Sequence, residues 1–380
     1  MGCFQSQPLQ KTSGARRPVA QLGLFSDHKQ EDDPRLANTS RMNGNLTNVI
    51  NECAADRQIQ IFEWILIKEI GKGSRSNVFL AKNTETNQIL AAKIYDKGLL
   101  LRQTLENVDP PYVAVQREIE IMAAVDHRYI LDAKEVIEDD ILNAIIILMS
   151  YAERGTLQDM IEAKKFSEDM IPICFFEIAE SLRYLHSLNI VHRDIKPENI
   201  LVFSDTEFVL SDFSVSTALS DENQKLDDTM GSPAFLSPEE CDQDSFAPKP
   251  ADVWAYGVSL YYSVFKKFPF NLDSCHGQNA ANTAISVTNL LTTEILTFPE
   301  GTDENSDVVR LLKSILNKDP TKRPTFDEII KDKYFDVAHP IDEVNKKKLL
   351  DKKKESSVDI INPQAEEEEE EKKSNDAFVI

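Results

Sequence analysis

Several features that the sequence lacks narrow its function before any motif is considered. The 380-residue chain has no apolar run of about 18 residues, the length that a membrane-spanning helix needs. Residues 1–30 also lack the apolar core of a secretory signal. The five cysteines are odd in number and widely spaced, without a Cys-x-x-Cys pair, which favours a reduced cytosolic setting over a disulfide framework. Basic residues are too few to balance the acids, and a net charge of -22 argues against nucleic acid as the main partner.

What the sequence does contain is a dense polar loop after a long apolar helical pattern. Residues 170–188 carry apolar side chains at helical spacing, and residues 192–199 then read HRDIKPEN. Asp212 and Phe213 follow after an apolar strand pattern. Phosphoryl transfer needs such a set, because one carboxylate orients the attacking hydroxyl while an amide and a second carboxylate hold magnesium against the phosphates.

With these motifs the sequence resembles the eukaryotic protein kinases. The resemblance covers about residues 62–335. It implies an α+β, bilobal kinase fold, in which a small, mostly antiparallel β lobe carries one key helix and the larger lobe is mainly helical. The expected limits are 62–149 for the small lobe, 150–152 for the hinge and 153–335 for the large lobe.

The same resemblance assigns roles in the polar loop. It makes Asp194 the catalytic base, and it makes Asn199 and Asp212 the ligands of Mg²⁺, with ATP as the phosphoryl donor. Lys196 completes the catalytic group, and a lysine at this position is typical of serine/threonine rather than tyrosine kinases. Residues 252–257 match the buried helix that supports this loop, and Arg323 matches the arginine that pairs with Glu239.

The nucleotide site is expected in the small lobe. Residues 71–78 read GKGSRSNV, a glycine-rich loop that departs from the kinase pattern at Ser76, where the third glycine is expected. Lys93 would hold the phosphates, with Glu118 as its carboxylate partner and Glu120 as the competing choice. The residues implied around ATP are Ile70, Gly71, Gly73, Val78, Ala91, Lys93, Glu118, Met149 and Tyr151.

The stretch from Ser214 to Glu239 resembles a kinase activation segment. Arg193 is the kind of cation that waits for a phosphate on this segment, and Thr229 is the best acceptor. Asp228 is the alternative, because its carboxylate could supply a permanent charge. Serine at position 214 replaces the usual glycine, and it would cost roughly 1 kcal/mol or more if the backbone there needs a positive φ.

The N-terminal stretch, residues 1–60, reads as a flexible tether with an acylation signal. Met1-Gly2-Cys3 with Ser6 fits the acceptor pattern for a myristoyl chain on Gly2 and a palmitoyl chain on Cys3. These chains predict a cytoplasmic protein anchored to the inner face of a membrane, with the plasma membrane as the expected site. The alternative is that this pattern occurs by chance at the start of a disordered tail and is not acylated.

The C-terminal stretch, residues 336–380, is predicted to be a charged, disordered tail. It is lysine-rich and then acidic over residues 366–371. Residues 344–361 hold too few large apolar anchors for a calmodulin-target helix, so calmodulin is not an expected partner.

Within the kinases, the sequence is similar to the calcium/calmodulin-dependent protein kinase kinases. The similarity lies in residues 93–103, in the proline pair at 110–111 and in residues 229–235, which read TMGSPAF. It implies a serine/threonine kinase that acts on protein substrates, which include the activation segments of other kinases. The alternative is a membrane-tethered pseudokinase or scaffold that binds nucleotide without transfer, and Ser76 and Ser214 are the features in its favour.

Overall fold

The computed structural model describes residues 59–73, 75–101, 111–139, 143–242, 244–270, 290–291 and 293–347. These residues form a sheet-rich lobe followed by a mainly helical lobe, which confirms the predicted bilobal α+β fold. The predicted acylation residues Gly2 and Cys3 lie outside the described residues. In the part of the chain that the structure describes, no helix combines the length and the apolar character needed to cross a membrane.

The small lobe is built on one antiparallel sheet with the strand order β1-β2-β3-β4-β6-β5. Its strands are β1 (Ile59–Ile61), β2 (Trp64–Lys72), β3 (Ser76–Asn83), β4 (Ile89–Asp96), β5 (Ala133–Asp139) and β6 (Ala144–Ser150). Side chains alternate between the two faces of a strand. In β4, Ala92 and Ile94 therefore pack in an outer apolar cluster, while Ala91 and Tyr95 join the main core on the opposite face.

Between β4 and β5, the described residues form two helices. The short helix α1 (Lys97–Leu100) is capped by the Asp96 carboxylate, which accepts a hydrogen bond from the Leu99 N–H. The longer helix α2 (Pro111–Ala124) buries Val115, Ile119 and Met122 at helical spacing against the sheet. These apolar contacts place α2 against β5, and its Glu118 side chain reaches Lys93 of β4.

The large lobe is mainly helical. Its helices with both ends among the described residues are α3 (Leu157–Glu162), α4 (Met170–Ser187), α5 (Pro238–Asp242), α6 (Pro248–Phe265), α7 (Asp307–Ile315) and α8 (Phe326–Ile329). Its strands are β7 (Ile190–Val191), β8 (Ile200–Ser204), β9 (Glu207–Leu210) and β10 (Thr217–Ala218), which pair as β7 with β10 and β8 with β9. Single 3₁₀ turns lie at Pro197–Asn199, Pro233–Phe235, Pro320–Lys322 and Lys333–Phe335.

Helices α4 and α6 form the centre of the large lobe. Both are apolar around most of their circumference, as expected for helices that are buried on several sides. Trp254 and Tyr256 of α6 are fully buried, and the Tyr256 hydroxyl donates to the Phe175 carbonyl oxygen at 2.8 Å. This rigid pair of helices supports the loops between β7 and β9, where the predicted catalytic residues lie.

Both limits of the packed domain differ from the sequence-based prediction. Ile59 and Ile61 are buried in β1, which lies before the expected start at residue 62. At the other end, residues 339–347 are helical, although the sequence predicts disorder from residue 336. The Tyr129 hydroxyl donates to the buried Asp342 carboxylate at 2.6 Å, and the Asn345 amide donates to the Thr206 carbonyl oxygen at 3.0 Å. Residues 348–380 lie outside the described residues.

Candidate active site

A cleft of about 720 Å³ opens between the sheet of the small lobe and the loops of the large lobe. It is lined by the glycine-rich turn between β2 and β3, by α2, by the segment after β6, and by the loops around β8 and β9. All the residues predicted to surround the nucleotide line this cleft: Ile70, Gly71, Gly73, Val78, Ala91, Lys93, Glu118, Met149 and Tyr151. The volume falls within the range of about 300–1,000 Å³ that is usual for small-molecule pockets.

Lys93 and Glu118 form an ion pair at the back of the cleft. The Lys93 Nζ lies 2.7 Å from Glu118 Oε1, and the Glu118 side chain is only 2% exposed. Glu120, the competing candidate, is exposed on the other side of α2. Burial alone would lower the pKa of Lys93, but the charges of Glu118 and Asp212 raise it well above the ordinary value. Lys93 is therefore a fixed cation that faces the cleft.

Asp212 lies on the other side of the same lysine. Its Oδ1 atom is 3.0 Å from Lys93 Nζ. Burial would raise the pKa of Asp212, but the Lys93 charge and hydrogen bonds from Lys93 and Ser214 lower it to about 2. Asp212 itself has a positive φ of 63°, whereas Ser214 does not have a positive φ. The backbone strain considered for serine at position 214 is therefore absent, and its hydroxyl supports the Asp212 anion.

Asp194 lies where the loop after β7 meets the activation segment. Its carboxylate accepts hydrogen bonds from Lys196 Nζ at 2.7 Å and from Asn199 Nδ2 at 2.9 Å. The Ser232 backbone N–H and hydroxyl also donate to it, at 3.0 and 2.9 Å. Lys196 Nζ bridges to Ser232 Oγ at 2.7 Å. The candidate base is thus held by several donors in one orientation, which is the condition for positioning a substrate hydroxyl.

Helix α6 fixes the backbone of the loop that follows β7. The buried Asp252 carboxylate accepts the His192 and Arg193 backbone N–H groups, each at 2.9 Å. The same carboxylate lies 2.8 Å from His186 Nε2. Arg193 has a positive φ of 69°, a strained conformation for a residue with a Cβ atom. The two hydrogen bonds to Asp252 explain how the loop keeps that strain next to the candidate base.

The activation segment already contains an anion for Arg193. The Arg193 guanidinium donates to Asp228 Oδ1 at 2.9 Å, to the Asp228 carbonyl oxygen at 2.5 Å and to Thr217 Oγ1 at 3.1 Å. Thr229, the predicted phosphate acceptor, instead donates its hydroxyl to the Glu240 carbonyl oxygen at 2.9 Å. Of the two possibilities that the sequence leaves open, the geometry favours Asp228.

A buried ion pair lies at the C-terminal end of the activation segment. Arg323 donates to Glu239 Oε1 at 2.6 Å and to Oε2 at 2.7 Å, and neither side chain is more than 2% exposed. The Arg323 guanidinium also lies over the Trp254 ring, 4.9 Å from its centroid. The pair predicted from the sequence is therefore present, and it joins the end of the activation segment to the large lobe.

Asn199 and Asp212 are suited to Mg²⁺. The Asp212 pKa of about 2 keeps its carboxylate ionised at neutral pH. Asn199 donates to Asp194 through its amide nitrogen, so its amide oxygen is the atom that could bind a metal. Magnesium prefers such oxygen ligands and usually takes one or two from the protein. No group of three or more His, Cys, Asp or Glu among the described residues could hold a metal by itself, so phosphates and water would complete the set.

Tyr95 is a residue of this site that the motifs do not reveal. Its hydroxyl donates to Glu118 Oε2 at 2.6 Å, and its ring lies 5.4 Å from Lys93 Nζ. A signal was present in the sequence, because Tyr95 is two residues after Lys93 on a strand and such residues share one face.

The motifs and geometry agree with comparisons to known proteins. The family described as "Protein kinase domain" matches residues 64–335. A Dictyostelium discoideum protein described as a probable serine/threonine-protein kinase is 32% identical over 286 residues, which are 74% of this chain and 39% of that protein. A Caenorhabditis elegans calcium/calmodulin-dependent protein kinase kinase is 28% identical over 345 residues, 84% of this chain and 62% of the relative. The chain therefore spans less than two thirds of the length of either relative.

Proposed function

The chain belongs to the protein kinase domain family, and on this premise we propose that it transfers the γ-phosphoryl group of ATP to serine and threonine hydroxyls of proteins. The observation that carries the proposal is the arrangement of two groups of side chains, one at the back of the cleft and one that meets the cleft at Asn199. Lys93, Glu118 and Asp212 lie in contact at its back. Asp194, Lys196 and Asn199 lie in contact where the activation segment meets the catalytic loop.

The protein residues divide the work of transfer between them. Asp194 would accept the proton of the attacking hydroxyl, and Lys196, 2.7 Å from the Asp194 carboxylate, would offset the negative charge of the phosphoryl group in transfer. Lys93 would hold the phosphates, fixed by its ion pair with Glu118. Asn199 and Asp212 would hold Mg²⁺, which when bound neutralises charge on the phosphate oxygens.

Phosphate transfer from ATP to a generic basic protein tests this function directly. In the presence of magnesium, Asp194→Asn should reduce transfer by ~100-fold or more while nucleotide binding persists, because it removes only the proton acceptor. Asp212→Asn should weaken nucleotide binding in magnesium as well. Asp327→Asn, on the exposed start of α8, is the matched control. Near-normal transfer by Asp194→Asn would contradict the mechanism.

The alternative of a pseudokinase gives a different result in the same assay. Wild-type protein that binds nucleotide but transfers no phosphate to any protein would support a nucleotide-binding scaffold. Ser76 and Ser214 favour that reading from the sequence alone. The structure offers no strained φ at either position, and the ion pair of Lys93 is formed despite both substitutions.

The substrate class that we propose is the activation segment of other kinases. The proposal rests on the similarity to the kinase kinase of Caenorhabditis elegans. Catalytically inactive kinases with intact activation-segment threonines should be phosphorylated faster than the same proteins with those threonines replaced by alanine. Equal rates for both sets, or no labelling of either, would remove this substrate class without affecting the general kinase activity.

We also propose that acylation of Gly2 and Cys3 attaches the protein to the inner face of a membrane. The pattern Met-Gly-Cys with Ser6 is its support. Gly2→Ala should release the protein from the membrane fraction, since it blocks the first acyl chain. Cys3→Ser should leave a smaller, faster-exchanging membrane pool, because one myristoyl chain binds only marginally. Wild-type protein without incorporated myristate would contradict the proposal.

A further inference from the structure

We infer that Tyr95 is a positioning residue, which holds Glu118 through its hydroxyl and thereby keeps α2 against the sheet for catalysis. The inference deepens the proposed kinase function and rests on it. Tyr95 does not belong to the motifs that identify the catalytic groups. The Lys93 ammonium lies over its ring, 5.4 Å from the ring centroid.

The geometry divides the Glu118 carboxylate between two donors. Lys93 Nζ donates to Glu118 Oε1 at 2.7 Å, and the Tyr95 hydroxyl donates to Glu118 Oε2 at 2.6 Å. Tyr95 and Glu118 are only 3% and 2% exposed, respectively. A carboxylate buried to this degree needs donors for both oxygens, since an unpaired buried charge is costly. Lys93 alone satisfies one oxygen, and Tyr95 satisfies the other.

The location of Tyr95 makes this contact a link between the sheet and the helix. Tyr95 and Lys93 lie on the same face of β4, and Glu118 comes from the buried side of α2. Lys93 also forms an ion pair with Asp212 and, in the proposed function, binds the phosphates. Its interaction with Glu118 therefore competes with these other partners. The Tyr95 hydroxyl donates to the other oxygen of the same carboxylate at 2.6 Å. It is thus a second attachment of α2 to the small lobe.

The chemistry of the hydroxyl suits this role. Burial and the neighbouring Glu118 charge raise the pKa of Tyr95 far above its ordinary value, although Lys93 acts in the opposite direction. The phenol therefore remains a neutral donor over the whole working range of pH. In strand register, Tyr95 is opposite Ser76, the residue that replaces the third glycine. The link thus lies on the strand next to β3, level with the end of the glycine-rich turn.

Tyr95→Phe tests the inference, because it removes the hydroxyl and keeps the ring that packs in the core. We expect kcat/KM for ATP to fall roughly tenfold, the scale of a lost hydrogen bond to a buried charge. Amide hydrogen exchange in residues 111–124 should become faster. Tyr261→Phe is the matched control, since it removes another tyrosine hydroxyl, which donates to the Thr297 carbonyl oxygen at 2.8 Å in the large lobe. It should change neither quantity.

A double-mutant cycle separates positioning from simple packing. If Tyr95 acts through Glu118, Tyr95→Phe should have almost no further effect on kcat/KM in a Glu118→Ala background. Additive losses, or unchanged exchange in residues 111–124, would overturn the inference. Because exchange is measured without substrate, it tests the link even if wild-type protein shows no transfer, a result that would instead contradict the proposed function.

Discussion

The Arg193 guanidinium lies 2.9 Å from the Asp228 carboxylate, so the cation beside the candidate catalytic base already has an anionic partner. Kinases of this type commonly bring such an arginine to a phosphate on the activation segment. Here an aspartate of the chain itself occupies that place. The activation segment can therefore be ordered before any modification.

The first prediction concerns this pair. Asp228→Asn should lower kcat roughly two- to fivefold, because it removes the charge of a partly exposed ion pair. Thr229→Ala should stay within about twofold of wild type, since the Thr229 hydroxyl donates to the Glu240 carbonyl oxygen and not to Arg193. Steady-state kinetics on one protein substrate, with the phosphorylation state checked by mass spectrometry, measures both. A large loss in Thr229→Ala with a silent Asp228→Asn would reverse the assignment.

The second prediction concerns Gly231, which has a φ of +96°. A Cβ atom at this position would lie 2.3 Å from the Arg193 carbonyl oxygen. Gly231→Ala should therefore push the activation segment away from the catalytic loop and break the hydrogen bonds between Ser232 and Asp194. We expect kcat to fall roughly tenfold or more, the scale of losing a pair of hydrogen bonds to a charged group.

Gly301 provides the control for that substitution. It also has a positive φ, of +85°, but a Cβ atom there would meet nothing within 4 Å. Gly301→Ala should cost some stability through backbone strain and leave kcat unchanged. If both variants lose activity equally, the steric argument for Gly231 is wrong.

The third prediction concerns the stability of the buried pair Arg323–Glu239. Arg323→Met should lower the free energy of unfolding by about 3–5 kcal/mol, because it leaves Glu239 charged and unpaired in the interior. The double variant Arg323→Met/Glu239→Leu should recover a large part of that loss, since no charge remains. Chemical denaturation of the three proteins measures the differences, and equal instability of the single and double variants would contradict the explanation.

The fourth prediction is a pH dependence of stability that arises from Glu177 of α4. Burial raises the pKa of Glu177 to about 9, although a hydrogen bond from the Phe208 backbone N–H and the charge of Arg128 lower it. Its value in the unfolded chain is near 4.5. Because the folded value is the higher one, the contribution to stability is complete below the unfolded pKa and is lost as pH rises towards 9.

Glu177→Gln should remove this dependence, because glutamine resembles the protonated acid and does not titrate. Thermal unfolding at several values between pH 5 and pH 9 should show the variant gaining on wild type as pH rises. All other ionisable groups are common to the two proteins, so the difference in Tm isolates Glu177. A constant difference over this range would show that Glu177 titrates normally.

Much of the candidate site could be predicted from the sequence, since its chemistry is carried by residue types at fixed spacing. Asp194, Lys196 and Asn199 lie on one short loop, and the structure brings them into contact as that spacing implies. The effect of serine at position 214 is harder to predict. Serine implies backbone strain only where φ is positive, and φ depends on the conformation of the whole segment, which the residue type alone does not determine.

The ends of the domain were less predictable for a physical reason. Sequence patterns locate packed segments through apolar periodicity. Residues 339–347 are attached largely through buried polar groups, Asp342 on Tyr129 and Asn345 on Thr206, and polar residues usually indicate exposure. The role of Tyr95 is hard to predict for a similar reason, because an aromatic residue on a strand is expected simply to pack.

The attachment of residues 339–347 has a practical meaning for recombinant work on this protein. The family match ends at residue 335, which would be the natural place to cut an expression fragment. Such a fragment would leave the buried hydroxyl of Tyr129, which lies in the loop between α2 and β5, without its carboxylate partner. A fragment that begins at residue 64 would likewise lack β1 and expose the unpaired edge of β2, which favours aggregation. The smallest well-behaved fragment should therefore run from before Ile59 to beyond Asn345.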